Sequence, residues 1–316
     1  LIKPDETTEI LEFYALLESP SITGAYKFEL TITETTSLKV SSYLYARKKI
    51  EKLGIAPLTS MFLYGPEQAS QFDDYRPEIH DSDGLLLETD SGVWDWRPLR
   101  NRRKVRLNSF MTTNLIGFGL VQRSRKFSQF LDLEAQYHRR PSQWVSLNNT
   151  DWGSGKVELL EIPSFQEFSD NIVSYWVPEE KINKGDKLNY SYVLSTFNDR
   201  HPSQTLGQVK RTMIGSSGLP GEIPTPAVEN RRFVIDFKDV PDFDSTNEEP
   251  MLPELQLTSG EFSELVLIEL PFEDQWRATF KFTPDTESVS VLRLFLKKNG
   301  TPITETWSYV WYPEIL

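Results

Sequence analysis

Hydrophobic and polar residues alternate along much of this chain with a period of two. From Lys187 to Phe197, Leu188, Tyr190, Tyr192 and Leu194 fall on one side and Asn189, Ser191 and Val193 on the other; Phe233, Ile235 and Phe237 repeat the pattern around Val234 and Asp236. Such alternation marks an antiparallel strand with one face on a core and the other in water. Further strands are predicted at 13–16, 26–32, 38–46, 105–110, 117–123, 157–162, 172–177, 264–270, 276–282, 289–297 and 305–312. Helical character is confined to residues 127–139, so the chain is expected to be all-β.

The alternation breaks over residues 207–229, GQVKRTMIGSSGLPGEIPTPAVE, where Gly, Pro and Ser punctuate the chain. This predicts a sandwich domain over residues 1–210, a linker over 211–229 and a second domain over 230–316. The last segment offers about six or seven short strands at roughly ten-residue spacing, the pattern of an immunoglobulin-like sandwich. The acidic run 239–249 lacks the glycine and terminal glutamate of an EF-hand loop and is expected to be solvated.

Composition narrows the function. The 316 residues include 8 Trp, 12 Tyr and 19 Phe, and apolar runs such as 265–268 are far too short to span a bilayer as a helix. A formal charge of −12 repels a phosphate backbone, so nucleic acid is not an expected partner despite the basic stretch 97–106. There is no cysteine, which excludes disulfides and thiolate metal sites. His80, His138 and His201 share no metal-ligand spacing, and no metal or cofactor is expected. Neither a GxSxG elbow nor a phosphate-binding glycine loop is present.

Residues 127–178 concentrate acids, arginines and aromatics, among them Asp132, Trp144, Trp152, Glu158, Glu161 and Trp176. Stacking platforms, bidentate donors and carboxylates together suit a neutral polyhydroxylated substrate, that is, carbohydrate. Cleaving a glycosidic bond needs one carboxylic acid beside the leaving oxygen and a second carboxylate to activate water. Asp170, in Phe168-Ser169-Asp170-Asn171, precedes an apolar strand; Phe168, Ile172 and a bound sugar would desolvate it and raise its pKa. Asp81, in His80-Asp81-Ser82-Asp83-Gly84, lies in a polar, turn-like run where a carboxylate stays hydrated and ionised. Each also has a purely local reading, as a turn cap or an Asx-turn. Trp94 and Trp96 share one strand face and read either as a sugar platform or as core. Tyr137 and Arg140, three apart, face one side of a helical turn, and Arg140 reads as a clamp on a carboxylate or sugar, or as half of a structural ion pair.

Long motifs carry a resemblance: GAYKF (24–28), LGIAPLTSMFLYG (53–65), YRPEIHDSDGL (75–85), WRPL (96–99), GFGLVQRSRKFSQFLDLEAQYHRRPSQWV (117–145), DWGSGKVELLEIP (151–163), DNIVSYWVP (170–178) and ETWSY (305–309). In these the chain resembles the osmoregulated periplasmic glucan biosynthesis proteins G and D. The resemblance implies a large galactose-mutarotase-like sandwich followed by a smaller immunoglobulin-like one. It also implies a periplasmic location and inverting endo-β-1,2-glucanase activity. By motif, the general acid falls on Asp170 and the general base on Asp81, working through a relay of water or hydroxyls, with Tyr137, Arg140 and Glu167 lining that relay. The alternative is a non-catalytic glucan-binding scaffold that assists backbone synthesis. Implied partners are β-1,2-glucan or its oligosaccharides, an inner-membrane glucan synthase, a second copy of the chain and an N-terminal segment that relatives carry ahead of this sequence. In the acid loop Phe168 stands where relatives tend to have a hydroxyl; turned into the core, it would leave Ser169 to stand in, and Gly92-Val93-Trp94-Asp95-Trp96 departs from the family's usual acid placement. The relay places the two carboxyl groups at or beyond the roughly 6.5–9.5 Å of inverting enzymes, on one groove, with a tryptophan open for stacking.

Overall fold

A computed structural model describes residues 9–66, 68, 72–147, 152–218, 230–241, 250–271 and 275–313. The fold is almost entirely β, as expected from the alternation. One long sheet of 12 strands runs from Ile10–Glu18 through Ile22–Ile32, Thr36–Ala46, Lys187–Phe197, Ser142–Ser146, Leu115–Val121, Gly84–Thr89 and Trp94–Pro98. It then continues into the C-terminal strands Thr306–Trp311, Ser290–Lys298 and Leu252–Leu257, with the twelfth, Thr301–Pro302, pairing Ser290–Lys298 off this path. Every neighbour on this path is antiparallel except Trp94–Pro98 with Thr306–Trp311, a parallel pair that joins the two halves of the molecule.

Two four-stranded sheets cover this spine. Ile55–Ser60, Ile172–Pro178, Gly155–Glu161 and Arg106–Thr112 pack Leu58, Val157, Leu159 and Trp176 against Leu85, Leu87, Phe118 and Val145. Gln208–Ser216, Arg231–Lys238, Gln275–Thr283 and Glu261–Leu270 pack Phe233, Phe237 and Phe280 against Leu86, Leu292, Leu294 and Trp307. Leu85 and Leu87 thus serve one core and Leu86 the other. A strand buried on both faces reads as a continuous apolar run, which hides it from a search for alternation.

The second half begins earlier than the sequence suggests. Residues 211–216, expected in a linker, are the latter part of the strand Gln208–Ser216, which pairs with Arg231–Lys238. Residues 219–229 of that linker and 242–249 of the acidic run lie outside the described residues. The expected helical stretch is a single turn, Phe127–Phe130, and a 3₁₀ turn, Tyr137–Arg139. Between them Asp132 Oδ1 accepts the backbone N–H groups of Glu134 at 2.8 Å and Ala135 at 2.7 Å. Gly84 opens a strand, and its role is space: a Cβ there would lie 2.4 Å from the Trp96 ring.

Where the two halves meet, Arg123 and Glu305 form a buried pair, with Nη1–Oε2 at 2.8 Å and side chains 1% and 0% exposed. Glu305 also accepts the Val209 backbone N–H at 2.8 Å, and the Arg123 guanidinium sits 3.6 Å above the Trp96 ring. Removing one partner strands the other charge away from water. Glu305→Ala is therefore expected to lower stability by about 3–5 kcal/mol in urea unfolding; a loss under about 1 kcal/mol would show that the pair does not hold the halves together.

Candidate functional site

Both aspartates singled out from the sequence hang from one short piece of backbone. The strand Phe62–Tyr64 pairs with Ile79–His80, and the next residue, Asp81, donates its backbone N–H to Met61 O at 2.8 Å. On the other side lies Asn171, 2% exposed. Its Oδ1 accepts the Phe62 N–H at 2.8 Å, while its Nδ2 donates to Phe62 O at 2.9 Å and Ile162 O at 3.1 Å. Asn171 thus acts as a side-chain strand, closing the Phe62 backbone as a neighbouring β-residue would. Asp170 precedes it, so residues 61–62 fix the position of Asp81 through one edge and Asp170 through the other.

The two carboxylates differ in environment, and not as the sequence suggested. Asp81 was expected to be hydrated; its side chain is only 29% exposed, and burial raises its pKa above the usual carboxylate range. The Arg140 guanidinium, Nε 3.2 Å from Oδ1, opposes that rise, the charge of Asp170 adds to it and His80 lowers it. The Arg140 contact is ionic, without hydrogen-bond alignment. Asp170, expected to be desolvated by Phe168, Ile172 and a bound sugar together, is exposed. Ile172 is 0% exposed in the core, and Phe168 is 80% exposed and turned to solvent, not inward. Ser169 is half-buried, its N–H donating to Gln166 O at 3.4 Å.

Around the aspartates, Tyr137 is 4% exposed and donates its hydroxyl to Glu167 Oε2 at 3.1 Å. Burial and then the Glu167 charge push the phenol's pKa up, holding its proton. Arg140 Cζ lies 5.7 Å from the Tyr137 ring centroid, so the two do face one side of the turn. Sequence reasoning missed Arg76. Its guanidinium joins three loops, with Nη1 2.6 Å from Asp132 Oδ2 and 2.9 Å from Glu167 Oε2, and Nη2 2.7 Å from Asp74 Oδ2. Three acids within reach of an unassigned arginine were visible in the sequence, but only the fold brings them together.

His80 was also missed. Gln122 Nε2 donates to the carbonyls of His80 and Tyr137, which turns its Oε1 toward His80 Nδ1 at 3.0 Å. The opposite ring nitrogen meets Glu78 Oε2 at 3.0 Å. Glu78, His80 and Asp83 lie close enough to suggest a metal group. Both imidazole nitrogens are already committed, however, and Asp83 Oδ2 accepts the Ser124 N–H at 2.8 Å. The trio is a hydrogen-bonded brace behind Asp81.

Of the two readings open for Trp94 and Trp96, the sugar platform and the core, the structure has the core. Trp94 and Trp96 are 4% and 3% exposed in the core of the C-terminal half, Trp94 stacking on Trp144 at 5.5 Å. Trp144, Trp152 and Trp176 are buried as well, so none of these five offers a face to a sugar. Glu158 pairs with Lys52 and Lys156, and Glu161 accepts the Arg100 N–H at 2.8 Å, so both carboxylates are engaged by other partners.

Asp81 is expected to titrate above the ordinary aspartate value of about 3.9, and Arg140→Met to raise it further by removing the opposing charge. Carboxyl-carbon NMR titration reads both; an Asp81 value at or below the ordinary one, or no change in the variant, would contradict this electrostatic picture.

The family model described as periplasmic glucan biosynthesis protein, MdoG, matches residues 1–311. A curated relative, the probable glucans biosynthesis protein D of Shewanella oneidensis, is 39% identical over 322 residues, covering 99% of this chain and 58% of the relative. The chain thus spans less than two thirds of that relative's length. With this match along nearly its whole length, the chain belongs to the MdoG family of periplasmic glucan biosynthesis proteins, and its location is the periplasm.

Proposed function

We propose that this chain carries the hydrolytic site of an inverting endo-β-1,2-glucanase that processes periplasmic glucan. The observation that carries the reading is the pair of aspartates braced on residues 61–62, close enough that the charge of Asp170 is felt at Asp81. An inverting mechanism needs a fixed acid and a fixed base on one site. Asp170, exposed on a pinned loop, is the group a glycosidic oxygen can reach; the bound glucan then supplies the desolvation that holds its proton. Asp81 is the base: burial raises its basicity toward the working pH, and Arg140 keeps it ionised. Its proton is received through water or hydroxyls, with Tyr137, Arg140, Glu167 and Ser169 about the path. The substrate class and the acid and base roles rest on the resemblance to the family. The larger and smaller parts of the fold read as galactose-mutarotase-like and immunoglobulin-like sandwiches.

One observation favours a second reading, a glucan-binding scaffold without turnover: Phe168 stands where relatives tend to place a hydroxyl, and it faces solvent. Following new reducing ends on linear β-1,2-glucan separates the two. Asp170→Asn keeps the shape but cannot donate a carboxylic proton, and is expected to lower turnover at least ~10²-fold while glucan still binds. Unchanged turnover removes Asp170 from the mechanism; binding without any turnover by the unaltered protein favours the scaffold.

A further inference from the structure

Three loops converge on the Arg76 guanidinium, and each places an apolar side chain in solvent one residue from its contact. Tyr75 precedes Arg76 and is 77% exposed; Phe168 follows Glu167 and is 80% exposed; Leu133 follows Asp132 and is 75% exposed. Apolar side chains this exposed are ordinary when scattered singly. These are not scattered: they flank ion pairs of 2.6 and 2.9 Å on a single guanidinium. Nor are their loops loose. Asn171 anchors the Phe168 loop at one end, and at the other Ser164 N–H donates to Asn101 Oδ1 at 3.0 Å while Asn101 Nδ2 donates to Ser164 O at 2.7 Å. The Tyr75 loop is held by Asp74, which accepts the Arg76 backbone N–H at 2.9 Å.

The chemistry of such a rim is specific. Glu167, Arg76 and the Tyr137 hydroxyl form one polar cluster beside these side chains, of the kind that suits sugar hydroxyls, whereas an aromatic ring suits the apolar C–H face of a pyranose. The buried tryptophans leave the site without stacking surfaces of their own. We infer that Tyr75 and Phe168 are the sugar-stacking platforms of this site, gripping glucose units on either side of the Arg76–Glu167 ion pair. Arg76 is then a positioning residue that sets the spacing of the platforms. Phe168 is a specificity element of this chain, adding a binding face two residues from Asp170. This rests on the glucan reading above.

The test is calorimetric titration of the full chain, in an Asp170→Asn background so that the probe is not consumed, with a linear β-1,2-gluco-oligosaccharide. Phe168→Ala and Tyr75→Ala are each expected to weaken binding roughly tenfold, the scale of one aromatic contact. Phe168→Tyr should restore it, and Tyr43→Ala, an exposed aromatic on the strand Thr36–Ala46, should leave it unchanged. Melting temperatures should barely move, because both rings are largely exposed and the Tyr75 hydroxyl makes only a long 3.5 Å contact with Leu131 O. Equal affinity of the alanine variants and their parent overturns the inference while leaving the glucan reading intact. Failure of the parent itself to bind overturns both.

Discussion

The site depends on one constraint, the closure of the Phe62 backbone by the Asn171 side chain. A buried peptide group without a partner costs about 1–3 kcal/mol, and here both the N–H and the C=O of Phe62 are satisfied by one asparagine. That exchange ties the loop carrying Asp170 to the same segment that receives the Asp81 backbone N–H. Two carboxylates far apart in sequence acquire a fixed separation without touching each other. Catalysis by a carboxyl pair tolerates little drift, so a rigid frame behind the pair matters more than any one contact in front of it.

Electrostatics on this frame are asymmetric. Arg76 pairs with Asp74, Asp132 and Glu167 at once. Arg140, half-exposed, is the cation turned toward Asp81, while the His80–Glu78 brace closes the space behind. The Asp81 side is therefore enclosed in the fold, whereas the Asp170 side stands open in water. Such a division leaves Asp170 accessible from solvent.

Much of the fold was legible in the sequence where one face meets water. The strand Lys187–Phe197 has the bounds its alternation predicts. What was hidden follows from burial on two faces and from long-range pairing. Leu85 to Leu87 give no alternation because both faces are covered. Gly84 looks like a turn residue but is a vacancy for Trp96. At the site, Asp81, Tyr137, Arg140 and Glu167 were named from motifs, yet the burial of Asp81 and the exposure of Asp170 ran opposite to their local sequence. Local polarity says nothing about which sheet lies overhead. The roles of Arg76 and His80 were hidden for a related reason, since each also depends on partners distant in sequence, Asp132 and Glu167 for Arg76 and Gln122 for His80.

The parallel pairing of Trp94–Pro98 with Thr306–Trp311 makes the long sheet a common wall for both cores, so the site sits on a scaffold stiffened from both faces. The measurement that bears most directly on the central claim is the anomeric form of the first product. Proton NMR of the unaltered protein acting on linear β-1,2-glucan should show new α-anomeric reducing ends before mutarotation, as direct displacement by base-activated water requires. Reducing ends that first appear in the β-form would contradict the paired acid and base described for Asp170 and Asp81.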